Sequence, residues 1–358
     1  MSGLKALGQL WCGIQRWLFP ALREELGELG EKHREFIAVC ETSTPQNHLA
    51  AYRWVGIGCP PKDRLAVCKA FIAKAVWDFP TTRALLDRVR NDPTLRRLCG
   101  WETTGQVPSE STFSRAFAAF ATGQLPQTIH AAMLKTRYGD KLAGHLSRDA
   151  TAIAARERAV RKPPVPAQPD AQPPAEPAPT RLERQLARPL AENLAELPQD
   201  CDWGTKKNSQ GKKQTWRGYK LHVDTIDGDI PVSWLLTSAS LHDSQAAIPL
   251  AQRSAARVTN LYDLGDAAYD AAPLREMSTR LGHVALFDHN PRRGAKREFT
   301  PAEARRYDER SSAERLNAHL HDNHGGRHVR VRGAVKVDAH LSFGLLVIAA
   351  EQLLRLLT

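Results

Sequence analysis

The stretch His145-Leu-Ser-Arg-Asp-Ala-Thr-Ala-Ile-Ala154 decides the fold, because it has the pattern of a strand with a carboxylate at its centre. The apolar residues Leu146 and Ile153 lie on either side of Asp149. An acidic side chain within a strand is unfavourable unless it has a partner. The stretch therefore predicts a strand that carries a functional aspartate, although an aspartate that caps a turn would fit the same letters.

Strand and helix patterns alternate after this stretch. Tyr219 to Thr225 and Pro231 to Thr237 have the pattern of two strands, and Asp227-Gly228 supplies the turn between them. This order predicts an α/β fold with a mixed sheet. The other elements that we expect are a helix from Ser244 to Arg257, strands from Val258 to Leu264 and from His283 to Asp288, and helices at about 301–322 and 340–357.

Residues 1 to about 140 have the three- and four-residue periodicity of helices, and this predicts an all-helical N-terminal domain. The first twenty residues resemble an amphipathic helix and not a signal peptide. Breaks are expected at Pro20, at Gly58-Cys-Pro-Pro61 and at Asn91-Asp-Pro93.

A further helix is expected to begin near Pro108, where Ser109 can cap it and Phe113, Phe117 and Phe120 share one face. Its first turns would point serine side chains and Arg115 outward. The helix is therefore either a DNA-contacting helix or an ordinary bundle helix.

The region after the first strand changes composition. Residues 163–179 hold eight prolines in seventeen positions, and such a segment cannot bury enough surface to fold by itself. We therefore expect a disordered insert at about 160–200. It is followed by a basic segment in which tryptophans alternate with cations, a composition that suits phosphate contacts and base stacking but is also that of a solvated loop. Its members are Trp203, Lys206, Lys207, Lys212, Lys213, Trp216 and Arg217.

The whole composition is compatible with a polyanionic partner. The chain of 358 residues has a formal net charge of +11 and 42% hydrophobic residues, enough for a real core. Its six cysteines form no CxxC pair, so we expect reduced thiols. The longest apolar run, 343–350, is too short to span a bilayer, and we expect a cytoplasmic protein with no membrane contact.

Two more carboxylates join Asp149 as candidates. Asp266 follows a strand pattern, and strand ends are where sites collect in α/β sheets. Glu314 lies in a helix on which Tyr307, Arg310 and His321 fall within roughly 60° of it. Three acids would suit Mg²⁺, and two ions about 4 Å apart can stabilise the attacking and leaving oxygens of an in-line displacement.

Each of these acids also has an ordinary structural explanation. Asp266 can begin a turn, and Glu314 can be an exposed residue paired with Arg310. Asp263 and Asp270 compete with Asp266, which we prefer because of its distance from Tyr269. His242 and Asp243 are expected to form a helix N-cap. Trp203 and Trp216 either stack on an unpaired base or anchor a loop.

Several phrases carry a resemblance to a known family. Tyr307, Arg310 and Glu314 follow the signature Tyr, two residues, Arg, three residues, Glu, six residues, Lys, with His321 in the lysine position. In these residues the chain resembles the DDE transposases of bacterial insertion sequences, in the IS-four-like group. Other matching phrases are Arg148-Asp-Ala-Thr151, Asp266-Ala-Ala-Tyr-Asp270, Gly218-Tyr-Lys-Leu-His222, Leu241-His-Asp-Ser244 and Pro108-Ser-Glu-Ser-Thr-Phe-Ser-Arg115.

The resemblance implies an RNase H-like catalytic core over residues 141–358. Its first strand would carry Asp149, its fourth strand would end at Asp266, and a late helix would hold Glu314. These three acids would be the catalytic residues and would hold two Mg²⁺ or Mn²⁺ ions. The side chains expected to bind DNA are Tyr307, Arg310, His321, Lys206, Lys207, Lys212, Lys213, Trp216, Arg217 and Arg115.

The resemblance also implies an activity and partners. The family cuts DNA at the ends of the element and joins the freed 3′-hydroxyl to target DNA, working as a dimer or larger assembly on paired ends. Residues 1–140 would bind the terminal inverted repeats or mediate dimerisation. Two alternatives stay open. One is a nuclease on the same core that cuts without joining, and the other is a catalytically silent DNA-binding protein.

Overall fold

The computed structural model describes residues 29–49, 63–139, 141–160, 178–207, 211–290 and 297–357. The predicted amphipathic helix of the first twenty residues, the breaks at Pro20 and at residues 58–61, and residues 161–177 of the insert lie outside this part of the chain. The chain divides into two compact units. The helical unit comprises Met1–Arg137, His319–Arg330 and Ala339–Thr358, and the sheet unit comprises Tyr138–Ala318 and Val331–Asp338.

Helices account for the N-terminal region, as predicted. The break at residues 91–93 is confirmed, because the Asp92 carboxylate accepts the Leu95 N–H at 2.9 Å and Pro93 is the first residue of the next helix. The helices are α1 (Glu31–Ser43), α2 (Arg64–Val76), α3 (Thr82–Asn91), α4 (Pro93–Cys99), α5 (Glu110–Thr122) and α6 (Leu125–Tyr138).

Helix α5 buries the predicted aromatic face. The rings of Phe113, Phe117 and Phe120 lie 5.7, 5.0 and 6.4 Å from the ring of Phe71 on α2, measured between centroids. Ser109 occupies the N-cap position, but its hydroxyl contacts the hydroxyls of Ser111 and Thr112 and caps none of the described N–H groups of the helix. The aromatic residues therefore decide the orientation of α5.

The C-terminal segments belong to the helical unit, and this differs from the division at residue 140 expected from the sequence. The long helix Ala334–Leu357 contains residues such as Leu341, Leu345 and Ile348 that are completely buried. A helix that is apolar on all sides must be covered on all sides, so it packs as a core element. Its stretch 334–356 has a mean hydropathy of 1.4 in its most apolar window, but 83% of that window is buried inside the protein.

The sheet unit is built on a mixed six-stranded sheet, as predicted. Strand β3 pairs antiparallel with β1, β2 and β4, whereas β1 pairs parallel with β5, and β5 with β6. The strands are β1 (Leu142–Ala154), β2 (Asp202–Lys207), β3 (Lys213–Ile226), β4 (Ile230–Ser238), β5 (Thr259–Gly265) and β6 (Val284–Phe287).

Strand β2 changes two expectations. The strand before Asp266 is the fifth in chain order and not the fourth, because β2 precedes β3. The basic segment is a hairpin and not an irregular loop, with Thr205 opposite Thr215 in the register of β2 and β3. The backbone of Lys207 lies in this hairpin, while its side chain lies outside the described part of the chain.

The insert expected at 160–200 is ordered in its second half, which corrects the prediction of disorder there. Helices α7 (Arg181–Ala187) and α8 (Leu190–Ala195) lie there, and Thr180 and Glu183 make a capping box at the start of α7. Leu182 and Leu186 pack on the cluster around Tyr269. The Pro-rich composition ends near residue 179, and the apolar residues that follow find a core to cover.

Five more helices follow β4 in the described part of the chain. They are α9 (Ser244–Ala255), α10 (Ala272–Arg280), α11 (Pro301–Tyr307), α12 (Ser311–Asn323) and α13 (Ala334–Leu357). A single helix was expected over 301–322, but a 3-10 turn at Asp308–Arg310 separates α11 from α12. The expectation that Tyr307, Arg310, Glu314 and His321 share one face assumed a continuous helix, so it does not apply across this turn.

Candidate active site

Asp149 and Asp266 are neighbours across the parallel pair of β1 and β5. Ser147 lies opposite Leu264, so the next two positions along each strand bring Asp149 opposite Asp266, where the backbone is still extended. Residues opposite each other in parallel strands point to the same face of the sheet. Arg148 points to the other face, where its guanidinium makes two 2.8 Å hydrogen bonds to buried Asp224. The strand thus separates a structural ion pair from the two aspartates.

The electrostatics of Asp149 fit this arrangement. Burial, together with the nearby Asp266 carboxylate, raises the pKa of Asp149 to about 6, against the lowering effects of hydrogen bonds from the Ala150 backbone and from Asn317. The Nδ2 atom of Asn317 donates to Asp149 Oδ2 at 2.9 Å. The neighbours of the Asp149 carboxylate do not fully balance its negative charge, so the carboxylate is suited to bind a cation.

Asp266 has a local structural role as well. Its Oδ1 accepts the Ala268 N–H at 2.9 Å and so begins the 3-10 turn Ala267–Tyr269. Burial raises the pKa of Asp266, and Asp243 adds to this, while Arg310 lowers it. The carboxylate therefore starts a turn and stands in a cluster of acids at the same time.

The competing aspartates have complete structural partners. Asp263 is buried and accepts hydrogen bonds from Ser278 at 2.6 Å and from Asn260 at 2.9 Å. Asp270 accepts from the Arg275 guanidinium and from a backbone N–H, at 2.8 and 2.9 Å. Asp266 is consequently the aspartate of this stretch that faces Asp149.

Glu314 lies one helical turn from the residue that contacts Asp149. Its side chain is 55% exposed and pairs with Arg310 at 2.8 Å. Glu314 and Asn317 are three positions apart on α12, and residues at this spacing are neighbours on a helix surface. The structure therefore brings Asp149 and Asp266 together directly, and connects Glu314 to them through Arg310 and the docking of Asn317.

Arg310 is the cation shared by these acids. Burial opposes its charge, but Tyr307, Glu314 and Asp149 together raise its pKa. The guanidinium carbon lies 5.7 Å from the centre of the Tyr307 ring. Burial raises the pKa of the Tyr307 phenol to about 12, and its oxygen accepts a hydrogen bond from Arg310. Arg310 thus contacts both Tyr307 and Glu314, although a 3-10 turn interrupts the helix between them.

Sequence reasoning assigned Asp243 to a helix cap, and the structure corrects this. Asp243 is at the N-cap position of α9, but its side chain bonds to none of the described N–H groups of that helix. Instead it accepts a 2.8 Å hydrogen bond from Lys220, and its charge acts on both Asp149 and Asp266. The signal was present in the sequence, because Lys220 and Asp243 lie in two of the family phrases.

Two buried polar atoms border the acids. The Oδ1 atom of Asn317 and the hydroxyl of Tyr269 have no hydrogen-bond partner among the described residues. Burial raises the pKa of the Tyr269 phenol, and the negative charges of Asp243, Asp149 and Asp266 contribute to this rise. Buried polar atoms without partners are uncommon, and here they stand beside carboxylates whose charge is incompletely balanced. Oxygen donors around excess negative charge fit a hard divalent cation.

The basic hairpin divides its tryptophans between two roles. The Trp216 indole N–H donates to the Tyr219 carbonyl at 3.0 Å, and a Cβ at Gly204 would lie only 2.4 Å from the Trp216 ring. Trp216 therefore anchors the hairpin. Trp203 is 55% exposed and has the Arg217 guanidinium 6.0 Å from its ring centre. Lys206, Lys212, Lys213 and Arg217 are all exposed.

Two of the predicted DNA contacts lie in the helical unit. Arg115 is exposed on α5. His321 is half-buried on α12 and belongs to the helical unit, whereas Tyr307, Arg310 and Glu314 belong to the sheet unit.

Two family models match separate parts of the chain. Residues 29–119 match the family model described as a transposase domain (DUF772), and residues 149–349 match the transposase DDE domain. The second match begins at Asp149 and covers more than half of the chain. No curated protein and no solved structure matches the chain. The DDE family acts on DNA and generally uses divalent metal ions. A helical N-terminal region followed by an RNase H-like mixed sheet agrees with this match, and the chain belongs to the DDE transposases of insertion-sequence type.

Proposed function

We propose that Asp149, Asp266 and Glu314 are the catalytic acids of a transposase that cuts the ends of its element and joins them to target DNA. The observation that carries the proposal is the parallel register that puts Asp149 opposite Asp266, each with a pKa raised by burial. Two carboxylates held close together repel each other, and a divalent cation with oxygen ligands would relieve that repulsion.

The same three acids would hold Mg²⁺ or Mn²⁺, two ions in our proposal. Bound there, the metal would lower the pKa of the nucleophile and neutralise charge on the phosphate, so that no protein general base is needed. Asn317 positions Asp149 by its hydrogen bond, and Asp266 is oriented by the Ala268 N–H. Arg310 holds Glu314 at the edge of the site.

Arg310 has a second task in this proposal. Its charge acts on Asp149 and Asp266 as well as on Glu314. A guanidinium among acids is also placed to bind a DNA phosphate, which needs planar, paired donors. A phosphate bound by Arg310 would compete with Glu314 for the guanidinium, and Glu314 would then be available to hold a metal ion. Tyr307 supports the guanidinium through its ring and its protonated phenol.

DNA contacts outside the acids are assigned to positively charged side chains. Lys206, Lys207, Lys212, Lys213 and Arg217 of the hairpin would neutralise backbone phosphates, and Trp203 offers an exposed ring for base stacking. Within the helical unit, Arg115 and His321 would contact the terminal inverted repeats. We propose a homodimer or larger assembly on paired ends, membership in the IS-four-like group, and a cytoplasmic location on the bacterial nucleoid.

The test is a strand-transfer assay with Mg²⁺ on DNA that carries the inverted repeats flanking the reading frame. Nicked product and joined product are scored separately. We expect Asp266→Asn to lose both products, while Asp308→Asn, an exposed aspartate of the same unit, keeps both. Equal activity of Asp266→Asn and the parent would contradict the assignment. Nicking without joining would favour a nuclease, and end binding without cleavage a silent DNA-binding protein.

A further inference from the structure

A second cluster of titratable side chains lies in the helical unit and uses none of the acids described above. It consists of His319, His324 and Glu351, whose ligand atoms all lie within 4.8 Å of one another. The two Nε2 atoms are 2.8 Å apart, and Glu351 Oε2 is 3.5 Å from one and 3.7 Å from the other. Within the described ranges it is the one set of three such side chains found that close together.

The backbone brings these side chains together in a specific way. Helix α12 ends at Asn323, and Gly325, with φ of +87°, turns the chain directly after His324. Gly344 on α13 is the point of close approach, because a Cβ there would lie 2.5 Å from the His324 carbonyl oxygen. Glu351 follows Gly344 by seven residues, which is two turns along the same face of α13. The two glycines thus allow His324 to lie close to α13, the helix that carries Glu351.

The proton positions favour ligation. The Nδ1 atom of His324 lies 3.1 Å from the Ala75 carbonyl oxygen. A carbonyl only accepts, so Nδ1 carries the proton and Nε2 presents its lone pair to His319 and Glu351. Histidines that bind metals have their second nitrogen engaged in this manner, since the outer hydrogen bond selects the tautomer and orients the ring.

The protonation states of the cluster also favour metal binding. Burial lowers the pKa of His324 to about 4, so that its imidazole is neutral. Burial, and then the Glu35 carboxylate on α1, raise the pKa of Glu351 to about 8. Lys32 lies 2.8 Å from Glu35 and is already shared with it. Lys32 and Arg355 offset this rise only in part, and a divalent cation among the two imidazoles would add positive charge beside the Glu351 carboxylate.

We propose that His319, His324 and Glu351 bind a zinc ion that stabilises the helical unit. Two imidazole nitrogens and one carboxylate oxygen suit zinc, whereas Mg²⁺ prefers oxygen ligands alone. Zinc bonds of about 2.0–2.1 Å in tetrahedral geometry separate the ligand atoms by roughly 3.3 Å. The measured separations of 2.8, 3.5 and 3.7 Å bracket that value. Glu35 or a water molecule completes the fourth position.

The experiment uses the untagged full-length chain, stripped with a chelator and dialysed with zinc in the presence of millimolar Mg²⁺. The magnesium occupies sites made of oxygen alone. We expect one zinc per chain in the parent by elemental analysis, and an unfolding temperature that rises with zinc. His319→Ala and Glu351→Gln should lose both. His340→Gln is the matched control, since His340 is a buried histidine of the same unit that bonds to the Gly325 carbonyl instead.

A second variant keeps the test decisive if an alanine variant fails to fold. His319→Cys, loaded with Co²⁺, should show the absorption of a thiolate bound to cobalt that the Co²⁺-loaded parent, with its six native cysteines, lacks. Zinc absent from the parent, an equal zinc content in His319→Ala, or a cobalt spectrum without the thiolate band would each overturn the proposal. None of these results depends on transposition activity.

Discussion

The Asn317 side-chain amide donates a 2.9 Å hydrogen bond to the Asp149 carboxylate, across a separation of 168 residues. This contact docks α12 against β1, the strand that pairs with β5. It thereby brings Glu314, one turn before Asn317, to the side of the two aspartates. The position of the third acid depends on an uncharged residue that is absent from the family signature.

The first prediction concerns this hydrogen bond. Asn317→Ala removes an interaction that lowers the pKa of Asp149, so that pKa should rise above about 6. We expect the acid limb of the pH profile of Mg²⁺-dependent cleavage to move to higher pH, with a loss of about tenfold or more near neutrality and a smaller loss at pH 9. Asn323→Ala, an exposed asparagine on the same helix, should leave the profile unchanged. An unshifted profile in Asn317→Ala would count against the positioning role.

The second prediction concerns stability in the absence of metal. The folded pKa of Asp149 is raised from 3.8 to about 6, so ionisation disfavours the folded state. The free energy of unfolding should therefore fall as pH rises from about 4 to 6, by on the order of 3 kcal/mol. Asp149→Asn should remove that loss and be more stable than the parent at pH 8, but not at pH 3. The measurement is urea unfolding in EDTA at both pH values.

A contrasting variant checks that result. Burial opposes ionisation of Asp270, but a backbone N–H and Arg275 lower its pKa overall. Asp270→Asn should therefore be less stable than the parent at pH 8. If Asp149→Asn also lost stability at pH 8, the destabilisation that we attribute to the ionised, buried Asp149 carboxylate would be contradicted.

The third prediction concerns the pair of Lys220 and Asp243. Its 2.8 Å contact joins β3 to the start of α9 beside the acids. If Asp243 acts on the site, Asp243→Asn should lower cleavage about tenfold while changing the unfolding temperature little, because no described N–H of α9 loses a cap. Kinetics and calorimetry on the same preparation separate the two effects. A drop in unfolding temperature with unchanged kinetics would mean that the pair is only structural.

The fourth prediction separates the two tryptophans of the hairpin. Trp216→Ala should destabilise the sheet unit by about 2–4 kcal/mol, since the ring covers Gly204 and its N–H is bonded to Tyr219. Trp203→Ala should cost little stability, because the ring is 55% exposed, and should weaken binding to single-stranded DNA by about 1–3 kcal/mol. Denaturant unfolding and fluorescence anisotropy at one fixed salt concentration measure these effects. Equal DNA affinity of Trp203→Ala and the parent would remove Trp203 from the interface.

The sequence determined the local elements of this protein. The strand around Asp149, the hairpin at Asp227-Gly228 and the helix beginning at Ser244 follow from periodicity and turn residues, which are properties of adjacent residues. The family signature identified Tyr307, Arg310 and Glu314 because their spacing survives in the linear chain. The Pro-rich composition marked an insert but overestimated its length, since residues 181–195 find apolar partners far along the chain.

Tertiary structure decided the rest. Asp149 faces Asp266 because β1 and β5 pair in parallel with a register that no local pattern encodes. The Asp243 side chain does not cap α9 as expected, because it bonds to Lys220 instead. His319, His324 and Glu351 meet only through the packing of α13. Long-range pairing and burial depend on how the whole chain closes on itself. Residues distant along the chain therefore acquire their charges and partners only in the folded protein.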